Sequence, residues 1–387
     1  MHSVLDLALD CVVGALGKTT EPTAPGTTGP SGVTLHRSPD RGRAQLADSA
    51  FDFSSAVPSG VRLEMLTDAT ELELDARLSV VLPPGMPSAD SVFDLVVDGE
   101  LREPVLASEQ SLIFLDPATG DRDVRPAEPA TVRFRLGPRA RERRVEIWLP
   151  VSPACALLDV RVPDGASLRP APASGPLWVH YGSSISQCAD AGRPTSTWPA
   201  RVARSAGRSL VNLGLGGQCQ LDPFMARAVR DLPARAISLE LGINVLNADS
   251  MRERAFVPAF HGFLDTIRDG HPDTPVLVIT PIVCPAAERR PGPTTAGPDA
   301  MVRTVDRPAD LALGALTLTR IRELLSRHVE QRRESGDERL RLVQGTTLFG
   351  PDDVADLPDG LHPNAAGCAR MAERFLPVAF GEEGALR

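Results

Sequence analysis

"LWVHYGSSIS", residues 177–186, runs apolar and aromatic residues into a glycine and two serines, and its reading decides the fold. A short apolar run bounded by a turn signal reads as a buried strand. Four further runs of this kind follow: "SLVNLG" (209–214), "AISLELG" (236–242), "PVLVITPI" (275–282) and "LRLVQG" (340–345). Helical stretches alternate with them, namely "WPARVARSAG" (198–207), "PFMARAVRDL" (223–232), "FVPAFHGFLDTIRDG" (256–270), "LALGALTLTRIRELLSRHVEQRRES" (311–335) and "AAGCARMAERFL" (365–376). Such alternation predicts an α/β domain: a parallel sheet with helices on both faces, hence three layers. In open sheets of this kind, sites form outside the carboxyl ends of the strands.

Working outward, "LRPAPASGP" (168–176) reads as a domain boundary. Before it, "VRLEML", "LELDARLSVVL", "FDLVVDGEL", "TVRFRL" and "RRVEIWLP" alternate apolar and polar residues between turns rich in Pro, Gly and Asp. That pattern predicts an all-β sandwich over 51–168, with a hairpin turning at Asp98-Gly99. Residues 1–50 form an N-terminal segment, of which 19–45, rich in Pro, Gly, Thr and Ser, is expected to be mobile or loosely draped. The α/β domain then occupies 175–387. A second Pro/Gly-rich stretch, 285–308, is long for a connection and reads as a lid or an insertion without order.

The 387 residues carry a net charge of −9 with a pI near 5.4, which argues against general affinity for nucleic acid or an anionic membrane. The start, "MHSVLDLALDCVVGALGK", carries Asp6 and Asp10 and no basic leader, so it does not read as a secretory signal. No window reaches 18 unbroken apolar residues, and no membrane span is expected. Six scattered cysteines without a CxxC pair fit reduced thiols. A cytoplasmic enzyme is the expectation.

Four short stretches follow predicted strands or precede the last helix: "YGSSIS", "NLGLGGQC", "LELGINV" and "DGLHPN". Acyl transfer needs a hydroxyl nucleophile, a base, a group that orients the base, and donors aimed at the oxyanion. A serine at a strand-to-helix turn exposes its Oγ, and a tight glycine turn at 216–217 offers a backbone N–H with no side chain in the way. Asn244 offers a carboxamide donor. Asp359 and His362, three apart on a turn, can both face the serine, the carboxylate fixing the tautomer.

These four blocks, in this order, resemble those of the SGNH (GDSL-type) esterase and acyltransferase family. "GSSI" resembles its Gly-Asp-Ser-Leu/Ile block, which implies Ser184 as nucleophile and puts Ser183 where the family usually has aspartate. "NLGLGG" implies Gly217 as backbone oxyanion donor beside the Ser184 N–H, and "LGIN" implies Asn244 as the side-chain donor. Ile243 and Val245 depart from the glycine and aspartate common on either side of that asparagine. "DGLHPN" implies Asp359 and His362 as the other triad members. The resemblance covers about 175–380 and implies a flavodoxin-like catalytic domain, and the β-rich region before it is similar to the N-terminal sandwich of a subgroup.

Competing readings are weaker. "GLGG" as part of a G-x-G-x-x-G dinucleotide fingerprint would put Cys219 at the third glycine, and a P-loop needs a lysine where none stands. His180 is expected to pack at its strand end, and His261, His271 and His328 lack metal-ligand spacing, so no metal or organic cofactor is expected. Cys188 and Cys219 are expected to pack as a thiol pair, and "RARERR" (139–144) to form a solvated turn.

The expected function is serine-dependent acyl transfer through an acyl-enzyme, first as hydrolysis of an O-acyl ester, esterase or acetylesterase. The alternative is an O-acyltransferase, which the resemblance permits, moving an acyl group from a thioester donor to a hydroxyl of a sugar or natural product. A third reading makes the sandwich a carbohydrate-binding module beside a degenerate enzyme domain. The scarcity of aromatics, with Tyr181 the one tyrosine, argues against it.

Overall fold

The computed structural model describes residues 1–21, 31–82, 87–115, 121–138, 141–297 and 299–387. Contacts divide the chain into two compact units: Met1–Ala173 with Arg193–Thr195, and Ser174–Gly192 with Ser196–Arg387.

The first unit contains one eight-stranded and one seven-stranded sheet. The long strand Glu71–Leu82 shows why: Leu72, Leu74, Ala76, Leu78 and Val80 are buried, and the residues between them are more exposed. A strand turns successive side chains to opposite faces, so this spacing gives it one apolar face. It pairs antiparallel with Ala130–Arg135 and Ala154–Val162. In the other sheet Arg62–Thr67 pairs with Arg143–Trp148, which also pairs with Ser91–Val97. Leu63, Met65, Phe93 and Ile147 from this sheet share one core with Leu72, Leu74, Phe134 and Val160 from the first. The hairpin turns at Asp98 and Gly99, whose φ of 49° and 84° are the two positive angles of a type I′ turn.

Two expectations need correction here. Most of "TTEPTAPGTTGPSG" lies outside the described residues, but its flanks are ordered: Gly17–Glu21 pairs antiparallel with Gly32–His36, and Asp40–Leu46 is helical. His2–Ser3 and Val12–Val13 also add to the sheets. Thr and Val suit strands whatever the Pro and Gly around them, and composition alone concealed this. The Arg139 and Ala140 part of "RARERR" lies outside the described residues. Arg143 and Arg144 are no solvated turn: they open a strand, and Arg144 reaches the Glu64 carboxylate.

The second unit is built on five parallel strands, β1 (Leu177–Gly182), β2 (Ser209–Gly214), β3 (Ala236–Glu240), β4 (Val276–Ile279) and β5 (Leu340–Val343). Their order across the sheet is β2-β1-β3-β4-β5. Every residue of β2, β3 and β4 is buried, as expected of parallel strands covered on both faces. The chain steps from β1 outward to β2, then back across β1 to β3. Connections leaving in opposite directions open a crevice at the carboxyl ends of β1 and β3.

The helices fall where expected with one exception. Leu318–Glu334 is α-helical, but the part before it is not: Leu311 and Ala312 end a single 3-10 turn, Ala309–Ala312, and 313–317 is not helical. Gly314 sits at φ +73°, outside helical space, and Thr317 starts the helix by accepting the Arg320 N–H at 3.1 Å. Residues 285–308 carry a small hairpin, Thr294–Ala296 against Val302–Thr304. The Val302 N–H donates to the Asp359 carbonyl at 2.8 Å. Glu288, at the start of this stretch, is held by Arg322 of the 318–334 helix at 2.6 and 2.9 Å. The described part of the insertion is therefore tied down rather than loose.

Candidate active site

The first serine of the pair starts a helix and the second stands in its first turn. Ser183 is extended, and its Oγ accepts the Ile185 N–H at 3.2 Å, capping the short helix Ser184–Gln187. That helix lies hard against the sheet because two strand-end glycines permit it. A Cβ at Gly182 would stand 2.4 Å from Ser186 Oγ, and one at Gly214 would stand 2.6 Å from the Gln187 nitrogen. Asn212 secures the approach from β2, donating to the Ser186 carbonyl at 2.9 Å and accepting the Gly214 N–H at 3.0 Å. Trp198 donates to the Ile185 carbonyl at 3.1 Å.

The loop before the final helix brings an imidazole to this serine. Asp359 Oδ1 accepts the N–H groups of Leu361 and His362 at 2.9 and 2.7 Å, a tight turn built on one carboxyl oxygen. Its other oxygen meets His362 Nδ1 at 2.6 Å. His362 Nε2 lies 2.8 Å from Ser184 Oγ. Asn364 then caps helix Ala365–Phe380 through the Gly367 N–H. Burial raises the Asp359 carboxyl, but the bond and charge of His362 and the two backbone N–H groups outweigh it and hold it at about 2. A carboxylate on Nδ1 keeps the proton there and leaves the Nε2 lone pair to face the serine.

Three donors in the segments that follow β1, β2 and β3 have no partner among the described residues. The Ser184 N–H is one. A second is the N–H of Gly217, at φ +71°, whereas the neighbouring Gly216 N–H is taken by Gln187 Oε1 at 3.1 Å. The third is Asn244 Nδ2. The Asn244 Oδ1 accepts the Cys219 N–H at 3.0 Å, which turns the amide so that its NH₂ is the free end. A small cleft of about 100 Å³ opens at Ser184 and His362, lined also by Ile185, Cys188, Ala189, Asp190 and Pro363. The Asp190 carboxyl is raised, by partial burial first and by the Asp359 charge, against the pull of His362. Such a constellation can pass a hydroxyl proton to an imidazole and receive negative charge on an acyl oxygen.

Under this turn lies a buried polar cluster that sequence reasoning missed. Glu240, at the end of β3, is fully buried and accepts the Ser183 N–H and O–H at 2.8 and 2.7 Å, with Ser186 Oγ at 3.3 Å. The signal was a lone acidic residue inside the apolar run "AISLELG". Asp190 was missed as well, with nothing in its surroundings to mark it.

The structure brings Ser184, His362 and Asp359 into hydrogen-bond contact, and sets Gly217 on the turn after β2 and Asn244 in the short helix Ile243–Ala248 after β3. His180 is buried within β1 rather than at its end, touching Ser238 and Ser186 at 2.7 Å each, and burial pushes it down to about 3. His261 and His328, on separate helices, face one another at 3.2 Å. Among the described residues no group of three or more His, Cys, Asp or Glu is placed to hold a metal ion. The thiol expectation needs correcting: all six cysteines are free, and Cys188 interacts with the Cys368 thiol, whereas Cys219 turns to the Glu240 carbonyl at 3.3 Å. The left-handed Cys188 backbone, φ 57°, ends the short helix, and its Sγ donates to the Ile185 carbonyl at 2.9 Å.

Residues 177–287 match the model of the GDSL-like lipase/acylhydrolase family. The chain is similar over 97% of its length to a salicylyl-acyltransferase, SsfX3, from a tetracycline biosynthetic pathway, with 28% identity, a TM-score of 0.76 and 96% of that chain covered. It is also similar to a candidate GDSL-like lipase of Bacteroides ovatus (22% identity, TM-score 0.63, 96% of this chain and 95% of that one). A family two carbohydrate esterase of Clostridium thermocellum, an active-site mutant, shares the fold at 16% identity, with a TM-score of 0.52 over 84% of this chain and 92% of that one. No curated protein matches the chain.

Proposed function

We propose that this protein, whose second unit carries a GDSL-like lipase/acylhydrolase domain and whose chemistry is that of a serine esterase or acyltransferase, works through an acyl-enzyme on Ser184. The hydrogen-bonded line from Ser184 Oγ through His362 to Asp359, at 2.8 and 2.6 Å, carries this reading. His362 Nε2 takes the Ser184 proton as Oγ attacks the acyl carbon. The oxyanion is held by the N–H groups of Ser184 and Gly217 and by Asn244 Nδ2. As the intermediate collapses, the leaving alkoxide or thiolate takes the proton from His362. The acceptor then gives its proton to Nε2 and attacks the acyl carbon, and as the bond to Oγ breaks Ser184 takes that proton back from His362.

Water as acceptor makes the reaction hydrolysis of an O-acyl ester. A second reading, transfer from a thioester donor to a hydroxyl of a sugar or natural product, is favoured by the end-to-end likeness to a salicylyl-acyltransferase. No cofactor is needed in either. The architecture belonging to this reading is a flavodoxin-like, three-layer catalytic domain of about 175–387 after a β-sandwich of about 51–168. The parallel order β2-β1-β3-β4-β5 and the shared core of the two sheets support it. A cytoplasmic setting for small-molecule substrates fits six free thiols, and among the described residues no helix is long and apolar enough to cross a membrane.

The test is intact-protein mass after brief exposure to short-chain and aryl esters and thioesters. An acyl mass on the wild type that is absent from Ser184→Ala supports the reading, and labelling of both proteins equally rejects it. Product analysis with added alcohols then separates transfer from hydrolysis.

A further inference from the structure

The buried Glu240 carboxyl has no packing reason to be there, since an apolar residue of similar size fills a core position at lower cost. Its Oε1 is buried with no partner among the described residues, so every hydrogen bond it accepts falls on Oε2. The direction of those bonds can be read from donors that cannot reverse. The Ser183 Oγ accepts the Ile185 N–H and donates its own proton to Glu240 Oε2. The Ser183 N–H goes to the same oxygen. From the other side, Trp178 Nε1 donates to Ser238 Oγ at 2.9 Å. The contacts continue through His180 to Ser186, which faces Glu240. This line has a fixed donor at one end and Glu240 at the other.

Its place relative to Ser184 gives the carboxyl a task. Ser183 is pinned by its N–H and by both functions of its hydroxyl, so the peptide that follows it cannot rotate freely. That peptide carries the Ser184 N–H, which has no partner among the described residues, and Ser184 itself lines the cleft. The resemblance puts an aspartate at 183, and here a carboxyl arrives from β3 instead. We infer that Glu240 is a positioning residue for the nucleophile turn: by accepting the Ser183 N–H and O–H on one oxygen, it holds the Ser184 N–H in line to receive the developing oxyanion.

This inference rests on the acyl-enzyme reading, and the test keeps the two apart. The rate of phosphonylation by a fluorophosphonate is followed by intact mass, with kcat and KM for an aryl acetate measured beside it. Glu240→Leu leaves the Ser183 N–H unmatched and is expected to slow labelling and kcat about 10²-fold with KM changed less than threefold, as for loss of an oxyanion donor. Glu240→Gln keeps an acceptor oxygen and is expected to stay within about tenfold of wild type. Ser183→Ala keeps the Ser183 N–H bond to Glu240 but removes the hydroxyl's bond to it and the cap on the Ile185 N–H, and is expected to cost roughly three- to tenfold. It also serves as the second variant should Glu240→Leu fail to fold. The positioning role is overturned by Glu240→Leu or Ser183→Ala at the wild-type rate. It is overturned equally if Gln and Leu lose the same activity in step with the same loss of melting temperature. Labelling that persists in Ser184→Ala would instead reject the nucleophile itself, and the inference with it.

Discussion

Asp359→Asn changes one atom of a side chain and is expected to invert the protonation of its neighbour. Asp359 Oδ1 is held by two backbone N–H groups, of Leu361 and His362. An asparagine must keep its only acceptor oxygen there, because turning its NH₂ toward two N–H donors would leave all three unmatched. The amide NH₂ then faces His362 Nδ1, where the carboxylate oxygen now sits at 2.6 Å. Nδ1 becomes an acceptor, the ring proton moves to Nε2, and the nitrogen facing Ser184 Oγ can no longer take a proton. The expected loss in kcat is about 10³–10⁴-fold, or roughly 4–5.5 kcal/mol of barrier. Asp359→Ala leaves the tautomer undecided and is expected to lose less than Asp359→Asn.

The same carboxylate contributes to stability, with a definite sign. Its folded value, about 2, lies below the ordinary 3.8. The contribution is therefore full above pH 4 and is lost as pH falls through 2, with a size of roughly 2 kcal/mol. At 29% exposure some of that is screened by solvent. Aryl-acetate turnover between pH 6 and 9 and thermal melts at pH 7 are the assays. An Asp359→Asn enzyme within tenfold of wild type, or one more active than Asp359→Ala, would refute the tautomer argument.

Four other outcomes are expected. Ser184→Ala and His362→Ala should each cut turnover by about 10³-fold or more, read as kcat on the aryl acetate. Asn244→Ala should lower kcat by about 10²–10³-fold, and a loss below tenfold would remove its NH₂ from the oxyanion site. Asp190→Asn, which takes a carboxylate away from His362 at the cleft wall, should lower kcat/KM by about two- to tenfold, and an unchanged value would make Asp190 a bystander. The Asp222 carboxyl is raised to about 6 by burial, so its ionisation costs stability that appears as pH rises from about 4 to 6. Asp222→Asn should therefore raise the unfolding free energy by about 1–2 kcal/mol at pH 8 and by little at pH 4. A gain independent of pH would refute that assignment.

Much of the second unit was legible because parallel strands buried on both faces leave unbroken apolar runs. Each of the five quoted runs contains a strand, and the blocks at their ends meet because strand ends share one rim. Residues 313–317 break the continuous helix expected over 311–335, because Leu and Ala suit a helix whereas Gly314 adopts a left-handed turn, φ 73°, between a short 3-10 turn and the α-helix. The flanks of the Pro/Gly-rich N-terminal segment were misread because a strand pairing such as Lys18 with Leu35 is invisible until the partner is known. The Cys188–Cys368 contact joins residues 180 positions apart, and spacing gave no hint of it. Glu240 was passed over for a simpler reason: its partner, Ser183, had been noted for the residue it replaced and not for the bonds it could make.

The Val302 amide that rests on the Asp359 carbonyl has a practical corollary for anyone redesigning this protein. Exchanging the strands Thr294–Ala296 and Val302–Thr304 for those of a relative would recast that contact. Because the hairpin grips the backbone of the residue that steers the imidazole, such a graft would also retune the speed of the chemistry. A chimera made at this hairpin would therefore be read first in kcat, even though none of its described residues lines the cleft.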